Sequence, residues 1–392
     1  MIFVNNILPK YLDNSLIFNR LELFNHNGFL PMNTKEQNKF NQLACIFQEK
    51  TKWNLARVKF LVTFICTLCK LQTVNFQRLA QGFGGNASPD SSLRRIQRFF
   101  SDFDLNGDIT ARIIFSLLPS KPPYRLSLDR TNWKFGKADI NILTICACYH
   151  GVAIPLLWAM LPKRGNSNQA EREALISRYI SLFGAGSIEG ILADREFIGD
   201  GWIGRLVALK IHFYFRIKGN MLVQAPGKGG MKAFWLFNSL PLNTAYSHRK
   251  IVKVGNQLVY LSGVKTVNPE GVLEYVIIAT YSYDPHTMAV YKDRWQIETM
   301  FKAMKTGGFN LEDTHLTDLG RLSKLLCLVC IAFALVYQVG VYRDRSIKQI
   351  KVKKHGRKSN SFFRYGLNYV AHALLCAVIQ DIEVIVKILS CT

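Results

Sequence analysis

The spacing of apolar residues predicts helices on both sides of the chain's centre. Residues 54–83 are apolar at helical spacing, and the turn formers GGNASPDSS lead into a second helix that begins at about Ser92. Further along, Leu325 to Tyr337 is an uninterrupted apolar run, followed by a basic segment from Arg343 to Lys358 and an amphipathic stretch from Tyr369 to Leu389. The apolar run is 13 residues long, short of the ~18 that a membrane span needs. We therefore expect a buried core helix there and no membrane partner.

The centre of the chain alternates strands with helices. In Tyr124 to Asp129 every second residue is apolar, which predicts a strand with Asp129 at its end, on the polar face. Two apolar runs joined at Gly151 predict a hairpin on the same sheet. The predicted elements are strands at 141–149 and 152–161, a helix at 170–183, a strand at 190–194, a helix at 199–209 and a strand at 211–218. This β-β-β-α-β-α-β order predicts an α/β fold, with a mixed sheet flanked by helices.

The segment 219–284 changes character, because it contains glycine-rich turns and strands without intervening helices, at 250–254, 257–264 and 272–281. We interpret it as a β-rich insertion. The helix that follows has clear limits in the sequence. Asp284 is a candidate N-cap, Pro285 suits the first helical position, and Thr306 with two glycines after it is a C-terminal stop.

One polar face of that helix combines a carboxylate with three phosphate-binding groups. At 100° per residue, Tyr291, Arg294, Glu298 and Lys305 project within an arc of roughly 60°. Arg engages a phosphate with its planar fork, Lys as a point charge and Tyr through its hydroxyl. An ordinary helical ion pair is the alternative interpretation, because Arg294 and Glu298 stand at i, i+4 spacing.

The charge balance indicates a polyanionic partner. The chain has 50 Lys+Arg against 27 Asp+Glu, a formal net charge of +23, which exceeds what solubility alone requires. Nucleic acid is the first candidate, although a basic inert or ribosome-associated protein would share this balance. Locally, Arg94, Arg95 and Arg98 lie on the helix SLRRIQRFF, after a helix and a glycine-containing turn. This order is typical of a DNA-binding helix-turn-helix with a long turn, but a solvated charged face gives the same pattern.

The cysteines do not predict a zinc site. Two CxxC pairs, Cys66 with Cys69 and Cys327 with Cys330, lie in apolar helical stretches rather than on polar knuckles with further ligands nearby. We expect them to be buried small apolar residues. The odd count of nine cysteines, outside any short secreted framework, indicates a reducing compartment.

Three segments resemble a known family. The spacing Tyr-x2-Arg-x3-Glu-x6-Lys resembles the signature of the insertion sequence four family of bacterial DDE transposases. The segments LSLDRTNWKFG and ILADREFIG resemble those around the family's first and second catalytic aspartates. The resemblance, which extends from about Tyr124 to Lys305, implies that the catalytic residues and metal ligands are Asp129, Asp194 and Glu298. It also implies that Tyr291, Arg294 and Lys305 bind DNA phosphates.

The resemblance implies an RNase H-like catalytic core with a β-rich insertion before the glutamate. It implies two Mg²⁺ or Mn²⁺ ions per active site, which agrees with the needs of phosphodiester chemistry and the oxygen preference of Mg²⁺. The expected activity is cut-and-paste transposition, with hydrolysis at the element's ends, a hairpin intermediate and transfer of the 3′-OH into target DNA. The expected partners are double-stranded DNA, as terminal inverted repeats and target, and a second copy in a synaptic dimer. The expected location is the bacterial cytoplasm, at the nucleoid.

We expect a leader at 1–31, with Met32 as an alternative start, and a helical DNA-binding region at 32–120. The catalytic domain is expected at 121–218 and 285–308, the β-rich insertion at 219–284, and a helical region at 309–392. Arg130 and Arg195 are further candidates for DNA contact, and Trp133 and Trp235 for stacking on an unpaired base, although core packing is the more ordinary use of tryptophan. Two alternatives stay open: a nuclease of this fold without strand transfer, and a repurposed DNA-binding protein, against which the three intact acids argue.

Overall fold

The computed structural model describes residues 48, 51, 53–84, 87–227, 229–354, 356–376 and 378–390. The expected leader at 1–31 and the choice between Met1 and Met32 lie outside these residues. The described part of the chain is mixed α/β, as predicted, with one large mixed sheet and helices packed around it.

The helices before the sheet are α1 (Leu55–Leu71), α2 (Phe76–Gly82), α3 (Pro89–Asp102) and α4 (Gly107–Ser116). The prediction of one helix over 54–83 is wrong, because α1 stops where Gln72 takes a left-handed φ of 53° and the Asn75 side chain caps α2. Helix α3 starts at Pro89, earlier than the predicted Ser92. Its N-cap is Ser88, whose hydroxyl accepts a hydrogen bond from the N–H of Ser91.

The predicted order of the central elements is confirmed. They are β1 (Tyr124–Phe135), β2 (Ala138–Tyr149), β3 (Val152–Met160), α5 (Gln169–Phe183), β4 (Ile188–Ala193), α6 (Asp200–Ala208) and β5 (Phe213–Ile217). In the sheet they stand in the order β3-β2-β1-β4-β5. Strands β1, β4 and β5 are parallel, whereas β2 is antiparallel to both of its neighbours. The β2–β3 turn has φ of 43° at His150 and 87° at Gly151, the two positive values that a tight hairpin turn needs.

The strands that follow extend this sheet. They are β6 (Leu222–Gln224), β7 (Gly230–Lys232), β8 (Ala245–Ser247), β9 (Val252–Val254), β10 (Gln257–Val267) and β11 (Leu273–Thr280). Strand β11 pairs antiparallel with β5, and the sheet continues through β10, β9 and β6 to β7, with β8 beside β10. The β-rich segment is therefore hydrogen-bonded to the central sheet.

The helix that carries Glu298 is not continuous. It consists of α7 (Thr287–Tyr291), a 3-10 turn (Lys292–Trp295) and α8 (Gln296–Lys305). The predicted start at Pro285 is wrong, since His286 is the N-cap and the Asp284 carboxylate accepts a hydrogen bond from its N–H. The predicted stop after Lys305 is confirmed.

The apolar run lies in a core helix that is longer than the run itself. Helix α9 (Leu319–Ser346) is long and apolar enough to cross a membrane, but its most apolar window is 89% buried inside the protein. It packs against α1, α4 and α10 (Phe362–Leu375), and α11 (Ile379–Ser390) follows. Where α9 and α10 cross, Gly340 and Gly366 face each other so closely that a Cβ on either would collide with the partner backbone.

Candidate active site at the ends of two parallel strands

Asp129 and Asp194 leave two neighbouring parallel strands side by side. The pairing of β1 with β4 ends at Leu128 opposite Ala193, and the two aspartates are the next residues on their strands. Adjacent strands are about 4.8 Å apart, so the two carboxylates project from neighbouring positions. The alternation predicts that Asp129 ends its strand, and this is wrong. Strand β1 continues to Phe135 through pairing with β2 alone. Asp129 lies where the parallel pair ends.

The polar face of β1 holds the 3-10 turn before α8. Arg125 Nη1 donates to Asp293 Oδ2 at 2.8 Å, and the Ser127 hydroxyl donates to the carbonyl of Arg294 at 3.3 Å. The third residue on this face, Asp129, lies 3.6 Å from Arg294 Nη1. Alternate residues of one strand therefore anchor a turn that is more than 160 residues away in sequence.

Arg294 links two of the three predicted acids. Its Nη2 donates to Glu298 Oε1 at 2.6 Å, and its Nη1 is the group near Asp129. The guanidinium is buried, with 11% of the side chain exposed, and it contacts the rings of Tyr291 and Trp295. The i, i+4 ion pair expected as the alternative interpretation does exist, and the same arginine also bridges the helix to the strand.

Asp129 is a buried carboxyl with an unusual affinity for protons. Its pKa is raised from 3.8 to about 6, chiefly by burial, and the Glu196 and Glu298 carboxylates contribute in the same direction. The Arg130 N–H, at 2.7 Å from Oδ1, and the Arg294 guanidinium lower it. The site thus carries more negative charge than Arg294 neutralises, which is a setting that favours binding of a cation.

Tyr291 and Lys305 both reach the end of the sheet. The Tyr291 hydroxyl donates to the carbonyl of Ala193 at 3.3 Å, and burial raises its pKa. Lys305 Nζ donates to the carbonyl of Asn132 at 3.2 Å, pairs with Glu312 at 2.8 Å and lies 5.1 Å from the centroid of the Trp133 ring. The two residues therefore approach from either side of the strand ends that carry the aspartates.

Arg130 and Glu196 tie the two aspartate segments together. Arg130 Nε and Nη2 donate to the two carboxylate oxygens of Glu196 at 3.1 and 3.2 Å. Nη1 and Nη2 also donate to Asn141 and Asn166. Only 14% of the Arg130 side chain is exposed, and its guanidinium is held by these contacts within the protein, so its contact with DNA stays a prediction.

A polar cleft with two basic and two acidic side chains opens beside Asp194. Its volume is about 700 Å³, and Arg195, Lys218 and Asn166 line it together with Asp194 and Glu196. Arg195, a predicted DNA contact, is exposed there. Lys218 was not predicted from the sequence as a site residue. Its place at the end of the predicted strand 211–218, on the same sheet edge as Asp194, was the signal that could have indicated it.

The donor set fits a hard divalent cation by its chemistry, since Asp129, Asp194 and Glu298 supply only carboxylate oxygens. Among the residues that the structure describes, however, no three acidic, histidine or cysteine side chains lie close enough together to hold an ion. Arg294 lies between Asp129 and Glu298 and engages both. A cation there would replace the guanidinium as the counter-charge.

The other predicted residues lie in two different settings. Arg94, Arg95 and Arg98 are all exposed on α3, and Arg95 also lies 5.6 Å from the centroid of the Phe60 ring, where partial burial lowers its pKa. Trp133 packs against the core as expected, whereas Trp235 stacks on Phe234 with 60% of its surface exposed. Core packing is therefore the wrong expectation for Trp235.

The cysteine pairs behave as expected. Cys69, Cys327 and Cys330 are buried and Cys66 is partly buried, all on α1 or α9 as free thiols. Burial raises the pKa of these thiols.

One family of known proteins matches the sequence of this chain. The family described as a transposase DDE domain matches residues 120–335, which is more than half of the chain and includes Asp129, Asp194 and Glu298. No curated protein matches the chain.

Proposed function

The chain belongs to the transposase DDE domain family, and from that premise we propose that it is a cut-and-paste transposase that cleaves the ends of its element and joins them to target DNA. A transposase acts on DNA, and a formal net charge of +23 suits that substrate. The proposed catalytic residues are Asp129, Asp194 and Glu298, with Mg²⁺ or Mn²⁺ as the ions that they hold. Membership of the insertion sequence four family, with its Tyr-Arg-Glu-Lys signature, is part of the proposal.

The observation that carries the proposal is the placement of two aspartates at the end of the β1–β4 pair, with Glu298 opposite them on α8. Asp129 and Asp194 follow neighbouring strands, and Arg294, which contacts both Asp129 and Glu298, links the helix of Glu298 to the same end of the sheet. When bound, two divalent ions would activate a water molecule and neutralise the charge of the phosphate.

The first reaction is hydrolysis at the element's end. A water oxygen bonds to phosphorus, the bond from phosphorus to the 3′ oxygen breaks, and the departing oxygen takes up a proton as a 3′-OH. In the second reaction that 3′-OH attacks a phosphodiester of the other strand to form a hairpin, and after the hairpin is opened it attacks target DNA. In each transfer one P–O bond forms as another breaks.

The remaining residues of the signature position the DNA. With divalent ions held by Asp129 and Glu298, the Arg294 fork would be free to engage a phosphate at the reacting bond. Lys305 lies at the mouth of the same site with 18% of its side chain exposed, and Tyr291 fixes the end of β4 through the carbonyl of Ala193. Arg294 would therefore exchange its contacts with Asp129 and Glu298 for a contact with the substrate.

Glu298→Gln tests the assignment, because it removes a charged ligand and little shape. We expect binding of a duplex that carries the element's end to be retained, and Mg²⁺-dependent cleavage to fall by at least about 10²-fold, since a metal ligand is lost. Glu270→Gln is the matched control, because Glu270 is an exposed glutamate in a turn of the β-rich segment. Cleavage by Glu298→Gln at the rate of the control would overturn the assignment.

A strand-transfer assay separates the transposase from a nuclease of the same fold. Pre-cleaved ends with a free 3′-OH are incubated with a supercoiled plasmid and Mg²⁺. Insertion of the ends into the plasmid is the expected result, and cleavage without joining would identify a nuclease. A repurposed binding protein would bind the ends and do neither.

A further inference from the structure

A basic groove lies apart from the proposed active site, between α3 and the residues just before and at the start of α9. Its volume is about 770 Å³. One wall is the exposed side of α3 with Arg94, Gln97 and Arg98, and the other is formed by His315 and Arg321. We call it the α3–α9 groove.

The walls of this groove are fixed relative to each other. Lys324 Nζ donates to the carbonyls of Phe100 and Ser101 at the end of α3, at 3.0 and 3.3 Å. The α3–α9 groove is therefore preformed, and a ligand that enters it does not have to order its walls.

The groove carries three positive charges without partners. Arg94, Arg98 and Arg321 are exposed, and no described carboxylate forms an ion pair with any of them. No acidic residue lines the groove among the residues that the structure describes. Elsewhere in the described chain several arginines are paired, for example Arg125, Arg130 and Arg178. An uncompensated cationic groove is complementary to a polyanion.

The groove is joined to the active site by β1. Phe135, at the end of this strand, stacks on His315 with ring centroids 5.0 Å apart, and Lys305 contacts the carbonyl of Asn132 on the way. From Asp129 to Phe135 the strand advances six residues, about 20 Å at 3.3 Å per residue. Duplex DNA advances about 3.4 Å per base pair, so this length equals about six base pairs.

We propose that the α3–α9 groove binds the sugar–phosphate backbone of duplex DNA about six to eight base pairs from the bond that is cleaved. Arg94 and Arg98 stand one helical turn apart, about 6 Å along the axis, and reach phosphates of one strand, while Arg321 contacts the backbone from the opposite wall. This inference rests on the proposed function for the position of the cleaved bond. The binding of DNA in the groove does not depend on cleavage.

The salt dependence of binding tests the groove. The probes are a labelled 30-base-pair duplex taken from the DNA at the border of the element and a mixed-sequence duplex of equal length. For the triple variant Arg94→Gln, Arg98→Gln and Arg321→Gln, we expect the slope of log K against log salt to become shallower by about 2.7, since each lost phosphate contact contributes about 0.9. The charge-conserving variant with Lys at the same three positions should keep most of the slope, which separates lost charge from misfolding.

A control variant removes three exposed cations that do not line the groove, through Arg78→Gln, Lys121→Gln and Lys210→Gln. We expect its slope to stay within about one unit of the wild type, because at most one of these groups would face a phosphate. A groove variant with the wild-type slope, or a control that loses as much as the groove variant, would overturn the proposal. If polyglutamate binds the groove and DNA does not displace it, the groove binds an acidic protein instead.

A hydroxyl-radical footprint on the border duplex, in a Glu298→Gln background, locates the contact. Loss of protection six to eight base pairs inside the element, seen only with the groove variant, assigns the groove to the element's end. Loss at that distance on the outer side assigns it to flanking DNA, and a footprint that does not change overturns the proposal. If the wild type does not cleave but the slope still falls, the proposed function fails and the groove stands.

Discussion

Asp129→Asn should make the protein more stable at neutral pH while it abolishes the metal-dependent reaction. Burial raises the pKa of Asp129 from 3.8 to about 6, so the charged carboxylate is less favourable in the folded protein than in the unfolded chain. A shift of about two pKa units corresponds to about 3 kcal/mol. Asparagine has nearly the same shape and no charge, so the substitution should recover most of that free energy of unfolding.

The sign of the effect depends on pH. Between pH 4 and pH 6 the folded protein holds a proton on Asp129 that the unfolded chain has lost, so the free energy of unfolding falls as the pH rises. Wild type and Asp129→Asn should therefore be about equally stable near pH 4, and the variant should lead by about 3 kcal/mol at pH 8, in the absence of divalent ions. Equilibrium unfolding in urea, followed by tryptophan fluorescence at both pH values, measures the difference.

Asp200→Asn is the matched control with the opposite sign. The hydrogen bond from the Asn256 N–H lowers the pKa of Asp200, so its charged form is the stabilised one and the substitution should destabilise the protein at pH 8. Mg²⁺ at ten times its dissociation constant should stabilise the wild type by about 1.4 kcal/mol and Asp129→Asn by much less. The reasoning is refuted if Asp129→Asn is no more stable than the wild type at pH 8, or if its advantage is as large at pH 4.

Two further predictions concern DNA contact and positioning. Lys305→Ala should weaken DNA binding and make the slope of log K against log salt shallower by about 0.9, whereas an unchanged slope would leave Lys305 as a structural tie between α8 and Asn132. Arg130→Gln and Glu196→Gln should each lower the cleavage rate about 10-fold without changing DNA affinity, because the ion pair between the two aspartate segments is lost. The double variant should be no worse than either single variant, and additive losses in single-turnover cleavage would contradict that positioning role.

Local pattern in the sequence determined much of the fold. Alternation and helical spacing are properties of neighbouring residues, so the order β-β-β-α-β-α-β, the hairpin at Gly151 and the stop after Lys305 follow from the residues themselves. The same patterns predicted that Asp129 and Asp194 belong to strand ends, and the i, i+4 spacing of Arg294 and Glu298 offered their ion pair as an alternative interpretation. The pairing of strands depends on residues that are far apart in the sequence, so these local patterns do not predict it.

Only the tertiary structure decided how these pieces form a site. The helix of Glu298 contains a 3-10 turn, and Arg125, Ser127 and Asp129 contact that turn from a strand more than 160 residues earlier. Asp129 lies at the end of a parallel pair rather than at the end of its own strand, because β2 continues where β4 stops.

The same distinction separates the arginines. Arg94 and Arg130 look alike in the sequence, but packing pairs Arg130 with Glu196 and leaves Arg94 exposed in the α3–α9 groove. The periodicity of the sequence indicates which face of a helix or strand a side chain occupies. The neighbours of that face come from distant parts of the chain, and their contacts determine whether a charge is neutralised inside the protein or available to DNA.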